Sequence, residues 1–226
     1  GVWKSRCSEL ILSAYATRED WQSNATMLDG RPVKEWLRGY NAEPGGVVVN
    51  HDFIHPDYMA AISMNFWALT TQSLARRPAP ESWAFNSPLV YGPLVSKSWN
   101  SPPYEKPGGT IYKPGIASVY YPQGNDWSYH DLTLYYLMDV YAHQFDWHPK
   151  APEWTELRAK AMLGMQRRHE DGRMFAAGEY DSYPGCEQLA FWCLGDAYLP
   201  QWLGAQGMLS KKNNWLIVKP IGNRHE

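Results

Sequence analysis

The chain has 226 residues, 44% of them hydrophobic, with 21 basic against 23 acidic side chains and a formal net charge of -2. That length and apolar content can fill a real core in one domain spanning residues 1–226, and the balanced, scattered charge argues against a phosphate-tracking, nucleic-acid-binding surface. No run approaches the roughly 18 uninterrupted apolar residues of a membrane helix, and GVWKSRCSEL lacks the basic, apolar and small-residue order of a signal peptide.

In chain order, a first helix is expected from about Trp3 to Met27, with a break inside it, and a short second one from Arg31 to Arg38. Val47 to Val49 reads as a strand. After Pro56 comes a helix that is apolar nearly all round, including Met59, Ile62, Met64, Phe66, Trp67 and Leu69, and such a helix is expected to be buried on every side. Ile116 to Tyr121 is a weak strand signal. Ser128 to Phe145 is a second all-round apolar helix, with Ser128 and Asp131 resembling a capping box. Pro152 to His169 is amphipathic, its apolar stripe running through Trp154, Leu157, Ala161 and Met165. Cys186 to Leu199, opened by Pro184-Gly185, is again apolar all round, and Trp215 to Val218 closes the chain with a strand signal. The order buried, amphipathic, buried suggests concentric helical layers and a mainly all-α fold.

Cys186 and Cys193 share a helix face about 10 Å apart, too far for one disulfide. Three buried free thiols are expected, and the cysteines show no zinc-ligand spacing. Aromatic side chains make up 15% of the chain. A large aromatic core would use them, but aromatic faces beside polar groups also suit sugars, whose C–H faces stack on rings while their hydroxyls find hydrogen-bond partners.

Each buried helix is preceded by a loop of aromatics, carboxylates or amides and Gly or Pro: NHDFIHPDY, YYPQGNDWSY and GEYDSYPGCEQ. If outer helices return the chain each time, the inner helices run parallel and these loops meet at one end. They bring Asn50, His51, His55, Tyr58, Tyr120, Tyr121, Asn125, Asp126, Trp127, His130, Glu179, Asp181 and Tyr183 around one funnel. Helix N-termini there favour a carboxylate ligand.

An Asn50-His51 loop entering an inner helix, with Tyr58 beyond it and Tyr120-Tyr121 and Asn125-Asp126-Trp127 further on, resembles the α/α toroid polysaccharide lyases, the group of alginate, chondroitin AC, hyaluronate and heparinase-type enzymes. The resemblance implies an incomplete toroid, since six or seven helices are expected here against ten or more in a complete one, and the chain then fits a short toroid or part of a longer protein. It implies cleavage of a uronate-containing acidic polysaccharide by β-elimination, without cofactor or metal, in a secreted or periplasmic protein. Asn50 would neutralise the substrate carboxylate, His51 would act as base and Tyr58 as base or acid. Tyr120, Tyr121, Asn125, Asp126, Trp127, His130, Asp181 and Tyr183 would bind substrate. The family's carboxylate-binding arginine has no motif-defined counterpart, and Arg173 is one candidate.

Each residue also has a plainer reading: Asn50 as a strand end, His51 as a loop histidine, His55 as an extended residue before proline packing on Phe53 or Tyr58, Asp57 as a first-turn acid, and Asn125-Asp126 as turn residues. Two alternatives stay open. An inverting glycoside hydrolase needs two carboxylates roughly 6.5–9.5 Å apart, for which Asp126 pairs with Asp181, Glu179 or Glu187; a carbohydrate-binding or scaffold protein needs neither. The chain has no G-x-S-x-G elbow and no phosphate-binding glycine loop after a strand, which disfavours a serine hydrolase and a nucleotide site.

Overall fold

A computed structural model of the protein describes residues 1–75, 77, 80–100, 102–126, 132–176, 179 and 186–207. It is mainly helical, and none of the described helices is long and apolar enough to cross a membrane. Helix α1 (Val2–Tyr15) stops where Ala16 turns extended, and α2 (Arg18–Gln22) begins with its own capping box. Asp20 N–H donates to Thr17 Oγ1 at 3.3 Å and Thr17 N–H donates to the Asp20 carboxylate at 2.8 Å, so the chain restarts at Thr17. The expected helix to Met27 ends early. Met27–Leu28 is instead strand β1, paired with β2 (Arg31–Pro32) across the left-handed residues Asp29 and Gly30, the geometry of a two-residue hairpin. The hairpin also takes the start of the second expected helix, leaving α3 (Val33–Trp36).

Strands β3 (Val49–Asn50) and β4 (Phe53–Ile54) form another hairpin, followed by α4 (Pro56–Ala60), a 3-10 turn at Ala61–Ser63 and α5 (Met64–Leu74). Pro56 occupies the first helical position, where its missing N–H costs nothing. Met59, Ile62, Phe66 and Leu69 are buried, but Met64 and Trp67 are exposed, so this segment buries one broad side rather than its whole circumference. A 3-10 turn at Glu81–Ala84 leads to α6 (Ser87–Ser96), and β5 (Ser98–Trp99) pairs with β6 (Gly109–Thr110). The expected strand at Ile116 to Tyr121 reduces to one bridge between Val119 and Tyr112.

Three long helices complete the described chain: α7 (Leu132–Gln144), α8 (Ala151–Gln166) and α9 (Cys186–Ala205). Helix α7 packs against both others, and from Thr133 to Ala142 only Tyr136 escapes full burial. Helix α8 buries Ala151, Trp154, Thr155, Arg158 and Met162, the three-and-four spacing of a single face. Helix α9 was expected to be buried all round, yet Phe191, Tyr198 and Trp202 face solvent while Cys186, Ala190, Cys193, Ala197 and Leu203 face the core. Its apolar exterior hid an ordinary one-sided helix. No disulfide joins the three cysteines; Cys186 and Cys193 are buried, and Cys7 is partly exposed rather than buried. The expected capping box at Ser128 and Asp131, the Pro184-Gly185 opening and the strand at Trp215 to Val218 lie outside the described residues.

Arg158 is the charged member of the α8 stripe, fully buried and ion-paired with Asp139 of α7. The other Asp139 oxygen accepts the Tyr91 hydroxyl at 2.9 Å, and the guanidinium lies 3.9 Å from the Tyr112 ring centroid. Burial pushes the Asp139 carboxyl above its usual range, against the pull of Arg158. Removing one partner would strand the other charge without water. Arg158→Ala is expected to cost about 3–5 kcal/mol in chemical denaturation, and replacing both residues by apolar ones much less.

Asp196 of α9 accepts the Tyr141 hydroxyl at 3.1 Å, and burial pushes its carboxyl up to about 7. A raised carboxyl pKa favours the folded state at low pH, and that advantage is lost as the pH rises from about 4, the ordinary carboxyl value, through 7. Compared with wild type by denaturant unfolding, Asp196→Asn should therefore gain relative stability across this window and show a constant difference above it.

Candidate active site

The segment between Val49 and Ile54 turns in the shortest way a hairpin can. His51 and Asp52 both take left-handed backbone angles (φ 52° and 65°), while Val49 pairs with Ile54 and Asn50 with Phe53. This is the mirror-image turn whose twist matches the strands, and histidine and aspartate are among the few non-glycine residues enriched there. The turn places His51 at an exposed tip. Four residues on, Pro56 restricts His55 to extended backbone (φ -120°, ψ 92°), and its N–H donates to Val48 O at 3.1 Å. The His55 ring points inward and is fully buried, stacked on Phe53 at 5.4 Å and meeting the Tyr58 edge at 4.5 Å between centroids.

Asp126 reaches the two imidazoles from the loop before α7. Its Oδ2 takes His51 Nδ1, and its Oδ1 lies 3.1 Å from His55 Nε2. Hydrogen bonding to His51, and then to His55, holds the Asp126 carboxyl below the usual range. A second carboxylate lies on the far side of His55. Asp57 Oδ2 is 3.9 Å from His55 Nδ1, and Asp57 Oδ1 accepts the Tyr121 hydroxyl at 2.9 Å and the Tyr135 hydroxyl at 2.7 Å. The loop is also tied to the hairpin by Ile54 N–H, which donates to Gln123 Oε1 at 2.6 Å.

Beside the hairpin runs an open groove of about 500 Å³ lined by Arg18, Tyr40, Asn41, Glu43, Asn50 and His51, among others. Its floor is strand-like: Ala42 bridges Thr17 on one side and Val48 on the other. Gly46 allows the connecting turn to press on α6, because a Cβ there would lie 2.0 Å from Leu89 O and the backbone is left-handed (φ +89°).

The structure therefore brings Asn50, His51, Tyr58, Asn125 and Asp126 into one neighbourhood, the His51 and Tyr58 ring centroids being 5.9 Å apart. Tyr121 is buried with its hydroxyl on Asp57, and the Tyr120 hydroxyl donates to Glu105 O. Trp127, His130, Asp181 and Tyr183 lie outside the described residues. Glu187 accepts the Met174 and Phe175 N–H groups at 2.8 and 3.1 Å, and Glu179 accepts from Ala176 N–H and Arg168. Both acids thus have local structural duties. Arg173 bonds Asp171, whereas Arg18 lines the groove. Sequence reasoning missed Arg18, which has no motif and arrives through the bridge of Thr17 to Ala42. It also undervalued His55, although the His-Pro dipeptide signalled a fixed backbone. Ligand-type atoms of His51, His55 and Asp126 all lie within 4.8 Å of one another.

No protein-family model matches this chain, and comparison with curated proteins and with solved structures finds no match either.

The left-handed turn gives a direct test. Asp52→Val is expected to lower the unfolding free energy by about 1–2 kcal/mol, the cost of a side chain at this backbone position, while Asp52→Gly stays within about 1 kcal/mol of wild type; urea titration reads both.

Proposed function

We propose that the groove binds a uronate-containing acidic polysaccharide and that the hairpin cleaves it by β-elimination. The observation that carries this reading is the bond between His51 Nδ1 and Asp126 at the rim of a groove that also holds Arg18 and Asn50. A carboxylate on one imidazole nitrogen fixes the tautomer and leaves the other nitrogen as a base. Arg18 and Asn50 supply the charge and the amide that stabilise an enolate-like carboxylate as its neighbouring carbon loses a proton.

In the proposed step, His51 Nε2 takes the C5 proton. The C5–H electron pair forms the C4–C5 double bond, the C4–O bond breaks, and the leaving oxygen takes a proton from the Tyr58 hydroxyl. The imidazolium then returns a proton through solvent. Asp126 favours elimination over inverting hydrolysis, because an acid held below the usual carboxyl range by two histidines is a poor proton donor. An incomplete α/α toroid is the architecture that goes with this reading, and a secreted or periplasmic location goes with its substrate.

Incubation with a panel of uronate polymers tests the proposal. Cleavage should generate the near-ultraviolet absorbance of a C4–C5 unsaturated uronate. His51→Ala and Tyr58→Phe should each lower turnover by about 10²-fold or more with unchanged circular dichroism, and Arg18→Ala should chiefly raise KM. New reducing ends without absorbance would replace elimination by hydrolysis, and binding without either product would make this a recognition module.

A further inference from the structure

We propose that His51, His55 and Asp126 bind one divalent first-row transition-metal ion. Two imidazoles and a carboxylate are the donor set that suits zinc, iron(II), cobalt(II) and manganese(II). Their ligand-type atoms converge from two segments 71 to 75 residues apart in sequence to within 4.8 Å. An ion with bonds of about 2.0–2.2 Å holds adjacent ligands about 3–3.6 Å apart, from octahedral to tetrahedral geometry, and Asp126 Oδ1 already lies 3.1 Å from His55 Nε2. The remaining closure falls on His51 and Asp126, whose side chains are 47% and 36% exposed and so have room to move.

The surroundings of His55 supply an independent argument. A metal-bound histidine commonly turns its other nitrogen toward a carboxylate, which fixes the ring and its tautomer. Behind His55 Nδ1 stands Asp57, oriented by two tyrosine hydroxyls. Phe53 and Tyr58 hold the ring from its face and edge. One ligand is thus buried and rigid, while the other two border solvent. Three protein ligands with an open side are the arrangement that leaves a coordination position for water or a ligand from the groove.

This site does not depend on the elimination reading and constrains it. An ion on His51 Nδ1 leaves the proton on Nε2, so the loaded form cannot use that nitrogen as a base. Metal loading should consequently suppress elimination by the free dyad.

Isothermal titration of the EDTA-stripped full chain with zinc chloride should give one ion per chain at micromolar or tighter affinity. His51→Ala and Asp126→Ala, both at exposed positions, should each weaken binding at least tenfold with unchanged circular dichroism. His169→Ala, away from the cluster, should bind as wild type. Cobalt(II) should give a visible d–d band that both cluster variants lose. Absence of stoichiometric zinc binding, or equal affinity in wild type and both cluster variants, would overturn the site. Zinc binding, with no cleavage of any uronate by the EDTA-stripped chain, keeps the ion site and removes the elimination reading. Uronate cleavage by a chain that binds no zinc does the reverse.

Discussion

A single buried carboxylate organises the ground beneath the candidate site. Asp57 sits in the first turn of α4, next to His55, and accepts hydroxyls from Tyr121 on one loop and Tyr135 on α7. Three parts of the chain, the hairpin with its helix, the loop that carries Asp126 and the most buried helix, are joined there by charge-assisted hydrogen bonds, which are stronger than neutral ones. Together with the bond from Ile54 N–H to Gln123 they keep the Asp126 loop over His55. The order of cause runs from a buried acid, through a fixed imidazole, to the exposed pair of His51 and Asp126 on which the proposed reaction rests.

A second buried acid works the same way at larger scale. Asp139 and Arg158 bind α7 to α8 while Tyr91 reaches in from α6, and Asp196 with Tyr141 links α7 to α9. Helix α7 thus meets its neighbours through polar contacts set in an aromatic core. Part of the chain's large aromatic content lies here, with Tyr91, Tyr112, Tyr135 and Tyr141 all fully buried. The tyrosines matter as much for their hydroxyls as for their rings, because each buried acid needs donors to remain tolerable inside.

The helical character of the chain was legible from periodicity and from Pro56 at a helix start. Helix ends were less so. The capping box at Thr17 and the turn at Asp29-Gly30 were both present in the letters, but a long apolar pattern overrode them. Uniformly apolar stretches such as Cys186 to Leu199 could not say which side faces solvent, because the sequence had no polar stripe to mark it. At the site, the Asn50-His51 loop and the later Asp126 stood out as clusters, and their meeting is what proximity of the two loops predicts. The roles within the cluster were harder to read. Asp57 looked like a helix-start acid and His55 like a packing residue, since a one-dimensional pattern shows neither Tyr135 nor Tyr121 arriving from about 64 to 78 positions away. Arg18 came into view only through backbone bridging, which no side-chain pattern records.

The hairpin has only two residues at its turn, and both are left-handed. In a two-residue hairpin the loop length selects the turn type, so the position of His51 depends on the number of residues in the turn. One added residue between Asn50 and Phe53 would leave the core and the helices intact, yet it would carry the imidazole away from Asp126. The pairing of His51 with Asp126 is therefore more sensitive to chain length at one point than to most exchanges of side chain around it. Relatives of the chain that keep every polar residue but differ by a single insertion here would be expected to have lost the arrangement altogether.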